Sequence, residues 1–304
     1  MITFSARQWE GQYWSKDIPN GVATTPYTSA VWVVPEDGSA PARQVISLAG
    51  RGDHSSFSPD GQWLYFQAPP GGPESAIYHI YRCRPDGTDL LDLTATHSPA
   101  GSRFGYRQSR DGSRLLFTYF DGQIGRVGIM LPDGSQPYLI APDIGYHYMA
   151  DLSADNQQVV FAHTAKGYIL TLKHLITGDL TVLTPGHKDC YAPQFTPDGK
   201  TIVFIRRDEE IYRMGSDGQG FQRLTEGNRY SHFTLSPEDR HGSTDSPTLS
   251  PDGQWITYIA RRAGIPQVHV MRLDGSEQRQ VTFRPTPCGR ATFGADGKTL
   301  AFVS

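Results

Sequence analysis

Histidine, arginine, tyrosine and aspartate recur in short clusters along this 304-residue chain. The clusters are Arg51, Asp53 and His54; Arg103, Tyr106 and Arg107; Tyr146, His147 and Asp151; His187, Asp189 and Tyr191; His241 and Asp245; and Arg290. An imidazole exchanges protons near neutral pH and ligates metals such as Zn or Mn, with carboxylates adding oxygen ligands. A guanidinium pairs a carboxylate through two parallel hydrogen bonds. These residue types suit an anionic or polyhydroxylated ligand, with or without a divalent metal. Arg51, Arg103, Tyr106, Tyr191 and Arg290 are the candidate ligand-binding residues. Of the ten histidines, His54, His147, His187 and His241 fall at corresponding places in the clusters, and His232 lies in the stretch 226–245 ahead of the fifth.

What must position these residues is a repeat. Each cluster precedes a segment such as HSSFSPDGQWLYFQ (54–67), APQFTPDGKTIVFI (192–205) or SPTLSPDGQWITYI (246–259). The turn acids Asp60, Asp111, Asp155, Asp198, Asp252 and Asp296 are spaced by 51, 44, 43, 54 and 44 residues. A period near 44 with two expansions is what the blades of a β-propeller give. Each segment reads as a β-hairpin: Pro presets an early turn dihedral, and Gly takes the left-handed position that closes the turn. A second hairpin with an Asp-Gly or Gly-Asp turn follows most copies, so each period predicts one four-stranded antiparallel blade. The expected fold is all-β, a single propeller domain over 1–304, with six blades and seven as the alternative. In that scheme the C-terminal inner hairpin (290–303) joins the N-terminal outer hairpin (30–48) and leaves no free edge. Residues 1–27 read as an irregular N-terminal segment, yet Ile2–Ser5 resembles one more inner strand. Residues 226–245 read as an insertion over the mouth of the channel that the first strands of the blades would line.

The motif Phe-Ser-Pro-Asp-Gly followed by alternating apolar residues is fullest at Phe57–Phe66, Phe195–Phe204 and Leu249–Tyr258. It resembles the repeat of TolB-like propellers, often called PD40. That resemblance implies a scaffold that binds protein partners or other ligands, in a periplasmic or extracellular setting. More distantly the chain resembles oligogalacturonate-lyase propellers, which implies proton abstraction beside a uronate carboxylate with a divalent metal (Mn, Zn or Ca). On that reading His187, His232 and His241 would hold the metal, Arg107 or Arg290 would pair the carboxylate, and His54 or His147 would be the base. The lyases' tight His-x-His cluster has no counterpart here. The two expected functions are therefore a binding or interaction module for an anionic or carbohydrate-like ligand or a protein partner, and a metal-assisted oligouronide lyase.

Composition narrows the field. With 28 basic against 31 acidic residues, no broad nucleic-acid surface is expected. No window is apolar for long enough to span a membrane. The N-terminal residues MITFSARQWEGQYW lack the basic start and apolar core of a secretory signal. The three cysteines, Cys83, Cys190 and Cys288, are too few and too scattered for a disulfide framework. No nucleophile elbow, P-loop or HExxH pattern occurs. A monomer is expected. Trp63 and Trp255 follow matching turns and read as packing residues, and His79, His163, His174 and His269 read as ordinary surface residues.

Overall fold

The computed structural model describes residues 1–9, 27–35, 39–49, 53–70, 77–97, 100–164, 167–227, 247–261, 265–285 and 288–303. They build an all-β fold whose unit is set by the repeat. In the first turn the Ser58 hydroxyl donates to Asp60 Oδ1 at 2.5 Å and accepts the Trp63 amide at 2.9 Å, while Asp60 Oδ1 also accepts the Gln62 amide at 3.0 Å. Ser109, Ser153, Thr196 and Ser250 make the same bond to Asp111, Asp155, Asp198 and Asp252 at 2.5–2.6 Å. The motif is thus a self-bonded turn, in which the hydroxyl, the carboxylate and the amides of Gln62 and Trp63 partner one another. In the last copy Gly294 replaces the hydroxyl residue, and Asp296 instead accepts the Lys298 and Thr299 amides.

These turns join the first two strands of each blade. Blade 1 runs β4 (Asp53–Phe57), β5 (Leu64–Ala68), β6 (His79–Cys83) and β7 (Leu91–Asp92). Blade 2 runs β8 (Ser102–Gln108), β9 (Leu115–Phe120), β10 (Gly125–Met130) and β11 (Tyr138–Leu139). Blade 3 is β12 (His147–Leu152), β13 (Gln158–Thr164), β14 (Tyr168–His174) and β15 (Leu180–Val182). Blade 4 is β16 (Cys190–Phe195), β17 (Thr201–Arg206), β18 (Ile211–Gly215) and β19 (Gln222–Arg223). Blade 5 is β20 (Thr248–Leu249), β21 (Trp255–Ala260), β22 (Gln267–Arg272) and β23 (Arg279–Gln280). All neighbours within a blade pair antiparallel, as in β9–β10 and β17–β18.

The expected count of six blades, or seven, is corrected to five four-stranded blades among the described residues. The reason lies at the two ends. Ile2–Trp9 forms β1, a regular strand rather than an irregular segment, and pairs with β2 (Tyr27–Val34) from Ile2↔Val34 to Trp9↔Tyr27. β2 pairs on its other side with β3 (Arg43–Ala49), giving a three-stranded sheet. β1 therefore fills the edge that closure reserved for the C-terminal hairpin. That hairpin, β24 (Gly289–Phe293) with β25 (Leu300–Val303), stands as a two-stranded sheet.

The chain divides into two compact units, Met1–Tyr146 and His147–Ser304. The first holds β1–β3 with blades 1 and 2; the second holds blades 3 to 5 with β24–β25. Their cores lie between successive blades. Val160, Ala162 and Leu170 of blade 3 pack on Phe195, Phe204 and Met214 of blade 4. Val203, Ile205 and Ile211 of blade 4 pack with Ile256, Tyr258 and Met271 of blade 5. Each Val, Leu, Ile, Phe or Met side chain among them contributes about 1.5–3 kcal/mol when fully buried. A Leu-Thr pair that ends blades 1, 3 and 4 adds a polar pin, echoed by Val281-Thr282 in blade 5. The hydroxyls of Thr94, Thr184, Thr225 and Thr282 accept the amides of Ile80, Leu170, Ile211 and Val268 at 2.9–3.1 Å, all buried.

Candidate functional site

The described candidate residues of blades 1 to 4 lie on or just ahead of the first strand, and that strand is not straight. In blades 1 to 4 it carries a bulge between Asp53 and Ser56, Phe104 and Arg107, Tyr148 and Asp151, and Tyr191 and Gln194. Each bulge holds one residue at positive φ: His54 at 54°, Gly105 at 60°, Met149 at 51° and Ala192 at 49°. A side chain in this region costs about 1–2 kcal/mol, so the surroundings must enforce it. What enforces it is a set of ties between neighbouring first strands. Ser56 Oγ lies 3.0 Å from the Tyr106 hydroxyl and accepts Gln108 Nε2 at 2.9 Å. Asp151 Oδ2 accepts the Phe195 amide at 2.7 Å, the Gln194 amide group donates to the Pro247 carbonyl, and Thr248 Oγ1 donates to the Ala291 carbonyl at 3.2 Å. The bulge re-aims the polar residue two places on toward the adjacent blade.

In the first unit His54 and Tyr106 come together. The Tyr106 hydroxyl donates to the His54 carbonyl, and Tyr106 is 8% exposed. Arg107, half-buried, pairs across the strand with Leu116. Arg103 is buried: it donates to the Gly101 carbonyl at 3.1 Å and lies 5.1 Å over the Tyr119 ring. Burial lowers its guanidinium below the ordinary range. Arg51 lies outside the described residues.

In the second unit the His147 ring is fully buried, opposite His163 and 5.2 Å from the Phe161 ring. Tyr191 joins a group that the sequence reading did not assemble. Its ring lies 4.8 Å from Tyr168, which meets Tyr148 edge-on at 5.3 Å. Asp189 Oδ1 accepts the Tyr191 hydroxyl at 3.3 Å, and Asp189 Oδ2 lies 3.6 Å from Arg207, whose side chain is 76% exposed. Burial, and after it Asp189, push the Tyr191 phenol up to about 12. Asp189 itself sits at a φ of 59°, and its carbonyl accepts the Arg207 amide at 3.0 Å. The half-buried rings of Tyr148 and Tyr168 suit stacking on a sugar ring, and the exposed Arg207 guanidinium suits a carboxylate, while Tyr191 is buried. Arg207 and Tyr168 carried no sequence signal, because Arg207 stands on the β17–β18 turn and Tyr168 opens β14, both at the end of blades 3 and 4 that also holds Tyr148 and Tyr191.

His187 takes a different place from His54 and His147. It is exposed and stacks on Phe221, centroids 3.8 Å apart and planes 13° from parallel, just ahead of the outermost strand of blade 4. Its amide donates to the Thr184 carbonyl at 3.1 Å, as the His97 amide donates to Thr94 at 3.2 Å. His187 is thus the repeat counterpart of His97, and the shared signal is Leu-Thr-x-x-His at 93–97 and 183–187. The other metal candidates, His232 and His241, lie outside the described residues, as does the side chain of Arg290. Among the described residues, no three His, Cys, Asp or Glu side chains converge to hold a metal. No described helix is long and apolar enough to cross a membrane.

Residues 170–304 match the family model described as TolB beta propeller domain, the PD40 repeat. An uncharacterized protein of Agrobacterium fabrum is 32% identical over 109 residues, covering 35% of this chain and 33% of that protein. The chain thus spans about a third of that relative's length. TolB from Acinetobacter baumannii has a TM-score of 0.60 at 18% identity, covering 83% of this chain and 58% of that one. An oligogalacturonate lyase in complex with manganese has a TM-score of 0.61 at 17% identity, covering 81% and 69%. At such identities the likeness is one of fold, and fold does not set activity. In its repeat and its blades the chain resembles TolB-like propellers and, more distantly, the oligogalacturonate lyases, with the family match carried by residues 170–304.

Proposed function

We propose that the chain is a binding module on a TolB-like propeller, taking an anionic, carbohydrate-like ligand at the ends of blades 3 and 4. The observation that carries this reading is the tyrosine group beside Arg207. Tyr148 and Tyr168 offer half-buried ring surface, and Arg207 offers an exposed cation paired with Asp189, the carboxylate that also accepts the Tyr191 hydroxyl. A uronate matches that pair, because its ring carbons stack and its carboxylate meets the guanidinium. In the first unit Arg107 would serve the same class of ligand. His147, a candidate base, is fully buried, which counts against a role in proton abstraction, and the burial of Arg103 likewise counts against ligand contact there.

Titration with an oligogalacturonide, followed by calorimetry, tests the reading. Arg207→Ala should weaken binding about tenfold and Tyr168→Ala by a similar factor, corresponding to about 1.4 kcal/mol each. Wild-type protein without saturable binding, or variants that bind as well as wild type, would count against it.

A second reading, a metal-assisted oligouronide lyase, is favoured by the fold likeness to a lyase that binds manganese. The described residues do not fit such a metal, because His187 finds no second or third ligand among them. No catalytic step is derived through it.

A further inference from the structure

We propose that His97 is an acid-released latch joining blade 1 to blade 2. The joint is closely fitted. The chain leaving blade 1 makes a turn from Thr94 to His97, and the outer turn of blade 2, Leu131–Ser135, docks against it. Gly134, at a φ of 85°, approaches so near that a Cβ there would collide with the Leu93 carbonyl oxygen. His97 closes the joint: its Nε2 donates to the Gly134 carbonyl at 2.7 Å. With that tautomer Nδ1 carries the lone pair. Nδ1 is buried and meets no hydrogen-bond partner. A proton added there would place an N–H and a positive charge at a buried position with nothing to accept them.

The charged groups around the ring deepen this. Burial is the largest influence lowering the His97 basicity, and Arg103 on β8 and His79 on β6 oppose its charging, while the Gly134 carbonyl and Asp92 on β7 favour it. Asp92 is already engaged, by His79 Nδ1 at 2.7 Å and the Thr94 amide at 3.0 Å. On the docked turn Asp133 is held by the Ser135 hydroxyl at 2.6 Å. From β9 the ring faces Phe117, 6.5 Å away, and Tyr119 caps the Ala100 carbonyl at 3.1 Å. No described carboxylate is left over to neutralise a His97 cation.

The repeat supplies an internal contrast. His187 occupies the same Leu-Thr-x-x-His place in blade 3, but it is exposed and rests on a ring, so a proton on it meets water. The sign for His97 follows from its lowered basicity. The docked form is at full stability above the ordinary histidine range, about pH 6.5, and loosens as pH falls below it. One linked proton allows the opening equilibrium to rise up to tenfold per pH unit, levelling off below the lowered value.

Hydrogen exchange of the amides of Leu131 and of residues 133–136, corrected for the intrinsic pH dependence of exchange, measures that opening from pH 7.5 to 4.5. Wild type should open several-fold to tenfold more per pH unit below about 6.5. His97→Gln, whose amide can still donate to Gly134 and cannot take up a proton, should be flat, while His79→Gln should keep the slope. A flat wild type, or a His97→Gln variant with the wild-type slope, overturns the latch. If the variant fails to fold, the histidine carbon-bound proton signals of wild type decide: a His97 that titrates at or above the ordinary range overturns it, and one that titrates below supports it.

Discussion

Gly199 and Gly253 occupy the same turn position in blades 4 and 5, and both have a φ of 70°. Their surroundings differ. A Cβ at Gly199 would meet nothing within 4 Å, whereas one at Gly253 would lie 2.5 Å from Pro197 Cδ, on the preceding blade's turn. Gly199→Ala should therefore cost only the strain of a left-handed alanine, about 1–2 kcal/mol. Gly253→Ala should add overpacking of about 1–3 kcal/mol, for a total of about 2–5 kcal/mol. Urea unfolding, with the slope held constant between variants, measures both. Replacing Pro197 by Ala removes the ring carbons, so the double variant Pro197→Ala/Gly253→Ala should recover most of the added cost as a coupling energy of 1 kcal/mol or more. Equal losses for the two glycine variants, or no coupling, would refute the idea that the Pro-Asp-Gly turns form the contact between blades as well as the bend within them.

Other expectations follow from single groups. Thr184→Val should cost about 1–3 kcal/mol in the same unfolding experiment, because it strands the buried Leu170 amide. Asp151→Ala should cost a comparable amount by removing the acceptor of the Phe195 amide, with Asp151→Asn recovering part of it. The Ile124 amide, then Arg126 and the Gln123 amide, hold the Asp121 carboxyl down at about 2. Its folded value lies below the unfolded one of about 4, so its contribution is complete above that pH and is lost as pH falls from there toward 2. Asp121→Asn should make the urea midpoint fall less steeply across that window, with the remaining turn aspartates keeping part of the slope. Burial pushes the thiols of Cys83 and Cys190 up to about 11, so neither should react with a maleimide in native protein at pH 8, and both should react once it is unfolded.

The local chemistry of the fold was legible in the sequence. Ser58-Pro-Asp60-Gly announces its own turn, and the alternation after it announces the strand. The blade count was not legible, because it depends on which strand takes the open edge of β2. Two apolar segments of similar pattern, Ile2–Ser5 and Leu300–Val303, compete for it, and pairing with Ile2–Trp9 is a long-range outcome that neither pattern encodes. The candidate site was legible as composition but not as placement. Counted back from the turn aspartates, His54, His147 and His187 stand six, eight and eleven places ahead. These unequal offsets place the three differently: His54 stands in a bulge, His147 is buried in the core, and His187, in the turn after Thr184, stacks on Phe221. Tyr191 stands out in the sequence, but its neighbours Tyr168, at the start of β14, and Arg207, on a hairpin turn, are brought beside it only by the antiparallel pairing.

The most direct test of the central claim follows one sample through binding and turnover together. Protein purified without added metal is assayed for bound metal, titrated with an oligogalacturonide, and then watched for the ultraviolet absorbance of an unsaturated uronide, before and after manganese is added. Saturable binding with no unsaturated product under either condition is the predicted result. Product formation, or the absence of saturable binding, would contradict the account of this propeller as a binding module.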